Sequence, residues 1–116
     1  MPLAIVVFLL VFAAAAEAKS PPQGKYGCYI DSYYQLFGSI NINGASGFRR
    51  FGKTGTYTAG KRKRSFAGGS VKGYPIRFKG GALNRFKGYW YISSGGRHKI
   101  ALEDPGMGFV SIYCAD

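Results

Sequence analysis

Residues 87–114, KGYWYISSGGRHKIALEDPGMGFVSIYC, contain the strongest evidence for the fold class of this chain. Aromatic and β-branched residues are concentrated there in three short runs, at residues 87–93, 98–103 and 108–114, as is typical of β-strands. The segments between the runs are SGG and DPG, both of which are common turn sequences. The stretch therefore predicts three consecutive antiparallel strands.

The residues before this stretch continue the same pattern. Residues 72–79 (KGYPIRFK) predict a further strand, in which Pro75 favours an edge position or a bulge. Residues 26–30 (YGCYI) and 33–42 (YYQLFGSINI) are also strand-like. We expect the C-terminal half to form an antiparallel meander whose last strand returns to the first one.

Two segments interrupt the strand pattern. Residues 44–52 (GASGFRRFG) favour a short helix because Ser46 can cap its N-terminus, although three glycines oppose helix formation. Residues 53–71 contain the least hydrophobic material and predict a loop or hairpin tip outside the core. We therefore expect an α+β, mainly β fold, in which one short helix packs on a curved antiparallel sheet.

The N-terminus has the features of a secretory signal peptide. Residues 2–16 carry no charge, are rich in Leu, Val, Phe and Ala, and are followed by a small-x-small cleavage pattern at residues 16–18. The run is shorter than the roughly 20 residues of a membrane-spanning helix, and it lacks a basic residue in front. We expect a signal peptide at 1–18, a flexible leader at 19–25 and a single domain at 26–116.

The two cysteines, Cys28 and Cys114, can form only one intramolecular disulfide. In a secreted chain we expect this bridge, whose loop contains nearly the whole domain; two free thiols or an intermolecular bridge are the alternatives. A loop of this length stabilises the fold by roughly 4–5 kcal/mol in the chain-entropy picture. Two cysteines and His98 are not a zinc ligand set, so the sequence predicts no metal and no cofactor.

The chain is strongly basic, with a formal charge of +11 that becomes +12 once Glu17 leaves with the signal peptide. Such a charge favours polyanionic partners, including nucleic acid, anionic lipid and acidic polysaccharide. The basic run Lys61, Arg62, Lys63 and Arg64 has three interpretations: a solvated loop, a contact with a polyanion, or a cleavage site for a processing protease. A nuclear-import signal fits only if the protein enters another cell.

Aromatic and basic residues alternate through the C-terminal half. Because neighbouring residues of a strand point to opposite faces, Tyr89 and Tyr91 share one face, and so do Arg77 and Lys79. Such a face binds phosphates by charge and stacks bases on its rings. Besides the basic run, the candidate RNA- or partner-binding residues are Tyr74, Arg77, Lys79, Lys87, Tyr89, Tyr91, Arg97 and Lys99.

Catalysis has weaker support. Cleavage of RNA through its 2′-hydroxyl needs a general base and a general acid, usually His or Glu. After residue 18 the chain contains one of each, His98 and Glu103, at opposite ends of a predicted strand and roughly 16 Å apart at the usual rise.

Several short motifs resemble a known family. Tyr-Gly-Cys at 26–28 resembles the Tyr-x-Cys motif of small secreted effectors of powdery-mildew fungi, which are similar in fold to fungal guanyl-specific ribonucleases, and Cys114 fits their second cysteine. Residues 73–75 (GYP) resemble the ribonuclease Tyr-Pro-His strand. Residues 89–95 (YWYISSG) resemble its Glu-Trp-Pro-Ile strand, and 97–102 (RHKIAL) the strand carrying its phosphate-binding Arg.

The departures from that pattern concern the catalytic residues. Ile76 stands where the ribonuclease has His, Tyr89 where it has the catalytic Glu, and Lys99 is the nearest match to its Arg. The last strand lacks the further catalytic His, so that Tyr74 alone is retained. The resemblance therefore implies a ribonuclease-like pseudoenzyme without a catalytic set.

The leading hypothesis is thus a secreted, non-catalytic fungal effector that is monomeric, with translocation into the host cytoplasm as an option for its delivery. The resemblance implies that it interferes with plant immunity by binding a host protein, such as an immune receptor, or host RNA or a ribonucleoprotein. The alternatives are a cationic antimicrobial or cell-wall-binding protein and an active secreted ribonuclease.

Overall fold

A computed structural model describes residues 20–30, 35–66 and 71–116 of the chain. The predicted signal peptide, residues 1–18, and the expected mature N-terminus, Lys19, lie outside the described residues. Within the described ranges, no helix is long and apolar enough to cross a membrane.

The described residues form nine strands and one 3-10 turn, Gly81–Leu83, and all the strand pairs are antiparallel. The strands are β1 (Gly24–Ile30), β2 (Gln35–Asn43), β3 (Gly47–Arg50), β4 (Lys53–Ala59), β5 (Arg64–Phe66), β6 (Val71–Lys79), β7 (Lys87–Ile92), β8 (His98–Glu103) and β9 (Val110–Ala115).

Eight of these strands close into a barrel in the order β1-β2-β3-β4-β6-β7-β8-β9, with β9 paired back to β1. The short strand β5 stays outside the barrel and pairs with the first residues of β6. The predicted α+β fold, a curved open sheet with a helix as in microbial ribonucleases, is therefore wrong. The reason is that β4 pairs with β6 and β1 pairs with β9, so the sheet closes and its inner face packs against itself, which leaves no open concave face for a helix.

The segment predicted to be a helix, residues 44–52, is β3 with a tight turn at each end. Phe48 and Arg50 are buried while Arg49 is exposed, an alternation of period two that belongs to a strand. Gly44 and Gly52, with φ of 70° and 74°, supply the left-handed turns on either side. The glycines that weakened the helix prediction thus belong to two hairpins.

The prediction that residues 53–71 form a loop or hairpin tip outside the core is wrong for residues 53–59 and also for 64–66, which form β5 with Phe66 buried, and for Val71, which begins β6. Residues Lys53–Ala59 are the barrel strand β4, whose Tyr57 is 2% exposed and donates a hydrogen bond to the Gly44 carbonyl at 3.0 Å. Strand β4 is short of apolar residues because it needs only one large inward ring, which packs against Phe78. The basic run follows this strand.

The barrel interior is a packed core of alternating inward side chains. The largest are Tyr26, Ile40, Ile42, Phe48, Tyr57, Ile76, Phe78, Leu83, Trp90, Ile100 and Leu102, all less than one-tenth exposed. Arg50 is also buried at the end of this core. Its guanidinium donates to the Ser39 carbonyl at 3.3 Å and lies 4.3 Å from the Phe51 ring centre, and burial lowers its pKa.

The residues before β1 contact one end of the barrel. Pro21 is buried, the Tyr26 hydroxyl donates to the Pro22 carbonyl at 2.7 Å, and the Gly44 amide donates to the Gln23 side chain at 3.0 Å. Strand β1 begins at Gly24, so the last two residues assigned to the leader belong to the sheet.

Cys28 and Cys114 form the predicted intramolecular disulfide, which joins residues 86 positions apart. The meander of β6 to β9 and the return of β9 to β1 are also confirmed. Pro75 lies inside β6, not at an edge. It falls between the residues that pair with β5 and those that pair with β4, so its missing N–H breaks neither ladder.

Candidate polyanion-binding face

The outer face of β6 to β8 carries six of the twelve predicted binding residues, because the inward positions of these strands are mainly apolar. On β6, Arg77 and Lys79 are exposed while Ile76 and Phe78 are buried, as the alternation predicted. On β7, Lys87, Tyr89 and Tyr91 share the outer face opposite the buried Trp90. The same rule places Lys99, Ala101 and Glu103 outward on β8.

The cations on this side line two neighbouring concavities, which we call the basic groove. One, of about 310 Å³, is bordered by Arg64, Arg77, Lys87 and Tyr89. The other, of about 430 Å³, is bordered by Arg77, Lys79, Arg85 and Lys87. Arg77 and Lys87 border both concavities, so this facing pair stands between them and supplies cations to each.

Arg77 and Lys87 lie directly opposite one another in the β6–β7 ladder. Like charges in that position repel and cost stability. The other cross-strand neighbours of Arg77 and Lys79 on β4 are the uncharged Thr58 and Thr56. One acidic residue, Glu103, is in register with these cations, and it lies opposite Lys87. The groove is therefore a concentrated positive surface with little internal compensation.

A third concavity, of about 460 Å³, lies farther along the same face, and we call it the tyrosine pocket. Its lining contains three tyrosines and two cations. The full set is Tyr29, Ile30, Tyr91, Arg97, Lys99, Tyr113, Cys114 and Ala115. Burial, together with the neighbouring Tyr113, raises the pKa of the Tyr91 phenol. Its hydroxyl therefore stays protonated across the physiological range.

Arg97 is held at the rim of the tyrosine pocket by the C-terminal residues. Its guanidinium donates to the main-chain oxygen of Asp116, and its amide donates to the Ser93 hydroxyl at 3.3 Å. The next amide, that of His98, donates to the Asp116 carboxylate at 3.1 Å. These contacts leave the remaining guanidinium donors of Arg97 for a ligand, because the guanidinium has five N–H groups.

Phe66 of β5 separates the basic groove from the tyrosine pocket. Its ring stacks on Tyr89 with centroids 4.6 Å apart and planes within 6°, and it lies 5.1 Å from the Tyr91 ring. Phe66 is 7% exposed although it belongs to a strand outside the barrel. One face of Tyr89 is therefore already covered, and this ring offers a ligand less stacking surface than the sequence implied.

Tyr74 does not join the outer face. It points towards the barrel interior, where it stacks on Trp90 with centroids 5.4 Å apart, and Trp90 in turn stacks on His98 at 6.1 Å. The ammonium of Lys63 lies 5.6 Å above the Tyr74 ring. All four residues of the basic run are exposed, and they differ in their contacts: Lys63 lies over the Tyr74 ring, and Arg64 borders the basic groove.

Sequence reasoning missed Tyr29, Tyr113, Arg85 and Phe66 as residues of this face. A usable signal existed for the first two. Tyr29 follows Cys28 and Tyr113 precedes Cys114, so an antiparallel pairing of the two cysteines places the tyrosines opposite one another, as is observed. No comparable signal marks Phe66, since its contact with Tyr89 depends on how β5 folds back over β7.

His98 and Glu103, the residues weighed as an acid–base pair, lie at opposite ends of β8 and on its two opposite faces. They cannot act on one phosphate in this arrangement. Among the described residues, no group of three or more His, Cys, Asp or Glu side chains is placed to bind a metal ion.

Comparison of the chain with protein-family models, with curated proteins and with solved structures finds no significant match. The geometry and charge of this face are therefore the basis for assigning a function.

Proposed function

We propose that this chain is a secreted, non-catalytic effector that acts by binding RNA of the host through the basic groove. The observation that carries the proposal is the direct opposition of Arg77 and Lys87, with Arg64, Lys79 and Arg85 around them. A cluster of five cations with one carboxylate, Glu103, in register with it costs the free protein stability, and a bound polyanion relieves that cost.

The spacing of the cations supports a phosphate backbone as the ligand. Arg77 and Lys79 are two residues apart on one strand, or roughly 6.6 Å at the usual rise, and Lys87 lies one strand away at roughly 4.8 Å. The first distance is comparable with the separation of successive phosphates in a nucleic-acid strand. A row of cations on a concave surface follows such a backbone, whereas a flat anionic membrane would contact it poorly.

Features outside the basic groove support secretion, an effector role and the absence of catalysis. The signal-like N-terminus and the disulfide support secretion, since disulfides persist in oxidising compartments. The Tyr-x-Cys motif at 26–28 supports an effector role against a plant host. The opposite placement of His98 and Glu103 supports binding without catalysis.

Binding of a labelled RNA, measured by fluorescence anisotropy across a salt series, tests this function. The variant Arg77→Gln/Lys87→Gln should lower the affinity and reduce the slope of log K against log salt by about two. The matched control is Arg49→Gln/Lys53→Gln, which removes the same charge from exposed positions on β3 and β4 outside the groove. The control should bind RNA with an affinity much closer to that of the wild type.

Three results would contradict the proposal. The first is equal loss of affinity in both variants, which would mean that net charge alone drives binding. The second is RNA cleavage that disappears with Tyr74→Phe or His98→Ala, which would identify a ribonuclease. The third is absent RNA binding combined with leakage of anionic vesicles or killing of bacteria, which would favour the antimicrobial alternative.

A further inference from the structure

We infer that the RNA ligand is single-stranded and that the tyrosine pocket receives one of its bases, with Arg97 and Lys99 on the adjoining phosphate. This inference rests on the proposed function and adds to it a second subsite and a strand preference. It follows from the shape of the pocket, from the residues at its rim and from its position relative to the basic groove.

The tyrosine pocket owes its depth to the size of neighbouring residues. Tyr29 and Tyr113 lie directly opposite one another on β1 and β9, and the next outward pair along these strands is Gly27 and Ala115. Two large rings beside two small residues leave a recess, whose volume of about 460 Å³ lies within the range of small-molecule sites.

The chemistry of the recess fits a flat ring that carries an anionic group. Tyr29 is 42% exposed, which is much for a ring of its size, so a π-face is available for stacking. Lys99 lies opposite Tyr91 on one side and Ala115 on the other, which sets a cation beside the rings. A nucleotide presents both a ring and a phosphate, and bases stack on tyrosine with little regard to sequence.

The pocket and the basic groove lie on one path. Tyr29, Tyr113, Ala101 and Tyr89 follow one another across β1, β9, β8 and β7 in direct register. Ala101 is fully buried between the two larger residues, and the Phe66–Tyr89 stack stands between pocket and groove, so a strand that occupies both sites must cross over this stack. Tyr89 borders the groove at the other end, about two strand spacings or roughly 10 Å from Tyr113.

The strand preference follows from the depth of the recess. In a duplex the bases are stacked and paired, so none of them is available to enter a side pocket. A single strand can turn one base out while its neighbours' phosphates stay on the cations. Groove and pocket therefore act together on a single strand, whereas a duplex is restricted to the groove.

The experiment compares a short single-stranded oligouridine with a duplex RNA of equal length on wild-type protein and three variants. Tyr29→Leu keeps the apolar bulk but removes the ring, and should weaken single-strand binding by about five-fold or more, since one stacked base contributes about 1–3 kcal/mol. Tyr29→Phe keeps the ring and should lose much less single-strand affinity than Tyr29→Leu. The control Phe109→Leu removes an exposed ring, 60% accessible, that does not line the pocket, and should change nothing.

A second measurement does not depend on affinity. Oligouridine carrying a photoreactive thiouracil should crosslink to peptides that contain Tyr29, Tyr91 or Tyr113, and Lys99→Gln should reduce the salt slope by about one. Equal affinity for single strand and duplex, or crosslinks confined to the basic groove, would overturn the inference while leaving the proposed function intact. Absent RNA binding by the wild type would refute the proposed function itself. Selective binding of an oligouronate at this pocket would also overturn the inference.

Discussion

Cys28 on β1 and Cys114 on β9 lie directly opposite one another, with their Cα atoms 3.9 Å apart, at the one seam of the barrel that joins the first and last strands. The other barrel pairs among the described strands join elements that follow one another around the barrel in chain order. The seam contains four residue pairs, from Gly27 with Ala115 to Ile30 with Ile112. The disulfide therefore fastens the contact whose closure costs the most chain entropy.

Removal of the disulfide should cost much of the stability of the domain. We expect Cys28→Ala/Cys114→Ala to lower the free energy of unfolding by roughly 2–5 kcal/mol, because the unfolded chain regains the entropy of an 86-residue loop. Denaturant titration measures the change, and reduction of the wild type under the same conditions should reproduce it. Hydrogen exchange should rise first at Tyr29 and Tyr113 on the seam; unchanged protection there would contradict the assignment of the disulfide to barrel closure.

Removal of one charge from the facing pair Arg77 and Lys87 should raise the stability of the free protein and lower its affinity for RNA. We expect Arg77→Gln to raise the free energy of unfolding at low salt by about 0.2–1 kcal/mol, since it removes repulsion across the β6–β7 ladder. The gain should vanish at high salt, where the charges are screened, while RNA affinity falls. The control is Arg49→Gln, whose cross-strand neighbours are Asn41 and Thr54. A loss of stability in Arg77→Gln that persists at high salt would show that this side chain packs instead of repelling.

Tyr26 should make the barrel sensitive to strong alkali. Burial, with the nearby Asp116 charge as a smaller cause, raises the pKa of its phenol to about 12 from an ordinary value of 10.0. Because the folded state holds this proton more tightly, the stabilisation is complete below pH 10 and is lost as the pH rises towards 12. It amounts to roughly 2–3 kcal/mol at most.

Unfolding by denaturant between pH 9 and pH 12 measures this effect. Tyr26→Phe should flatten the decline, at the cost of the hydrogen bond to the Pro22 carbonyl, which lowers stability at neutral pH by about 1 kcal/mol. A decline equally steep in the variant would assign it to other phenols, such as the buried Tyr57.

Gly73 should be intolerant of any side chain. A Cβ atom there would lie 2.9 Å from the Trp90 carbonyl oxygen and 3.1 Å from both the Phe66 ring and the Tyr89 Cβ. We expect Gly73→Ala to destabilise the protein by roughly 1–3 kcal/mol and to displace Phe66 from Tyr89. The matched control is Gly95→Ala, where the nearest atom is the Ser93 hydroxyl at 3.9 Å. Thermal unfolding measures both variants, and equal melting temperatures would mean that β5 is not packed as described.

Local pattern was sufficient for much of the C-terminal half. Strand β8 occupies the predicted residues 98–103, and the alternation on β6 and β7 identified which residues share a face of each strand. This works because the side-chain period of a strand is two residues, whatever the strand packs against. The pairing of the cysteines likewise followed from their number alone.

The local sequence pattern did not predict that the sheet closes into a barrel. Strand β3 has four residues, two of them arginines, and β4 contains three threonines and one large apolar residue, so each looks like a helix or a loop when considered by itself. They become strands because Phe48, Tyr57 and Phe78 fill one interior from three directions. A small barrel needs few large inward rings per strand. Such strands therefore lack the alternation of apolar and polar residues by which a strand is predicted from sequence.

The sequence by itself determined the single possible intramolecular cysteine pairing, the basic character, and which residues share a strand face, Arg77 with Lys79 and Tyr89 with Tyr91, since these depend on residue count and alternation. Tertiary structure alone decided that Arg77 faces Lys87, that Phe66 covers Tyr89, and that Tyr29 and Tyr113 form a pocket with Lys99. Those contacts join residues far apart in the chain. Strand order and register place them, and both depend on the packing of the whole barrel.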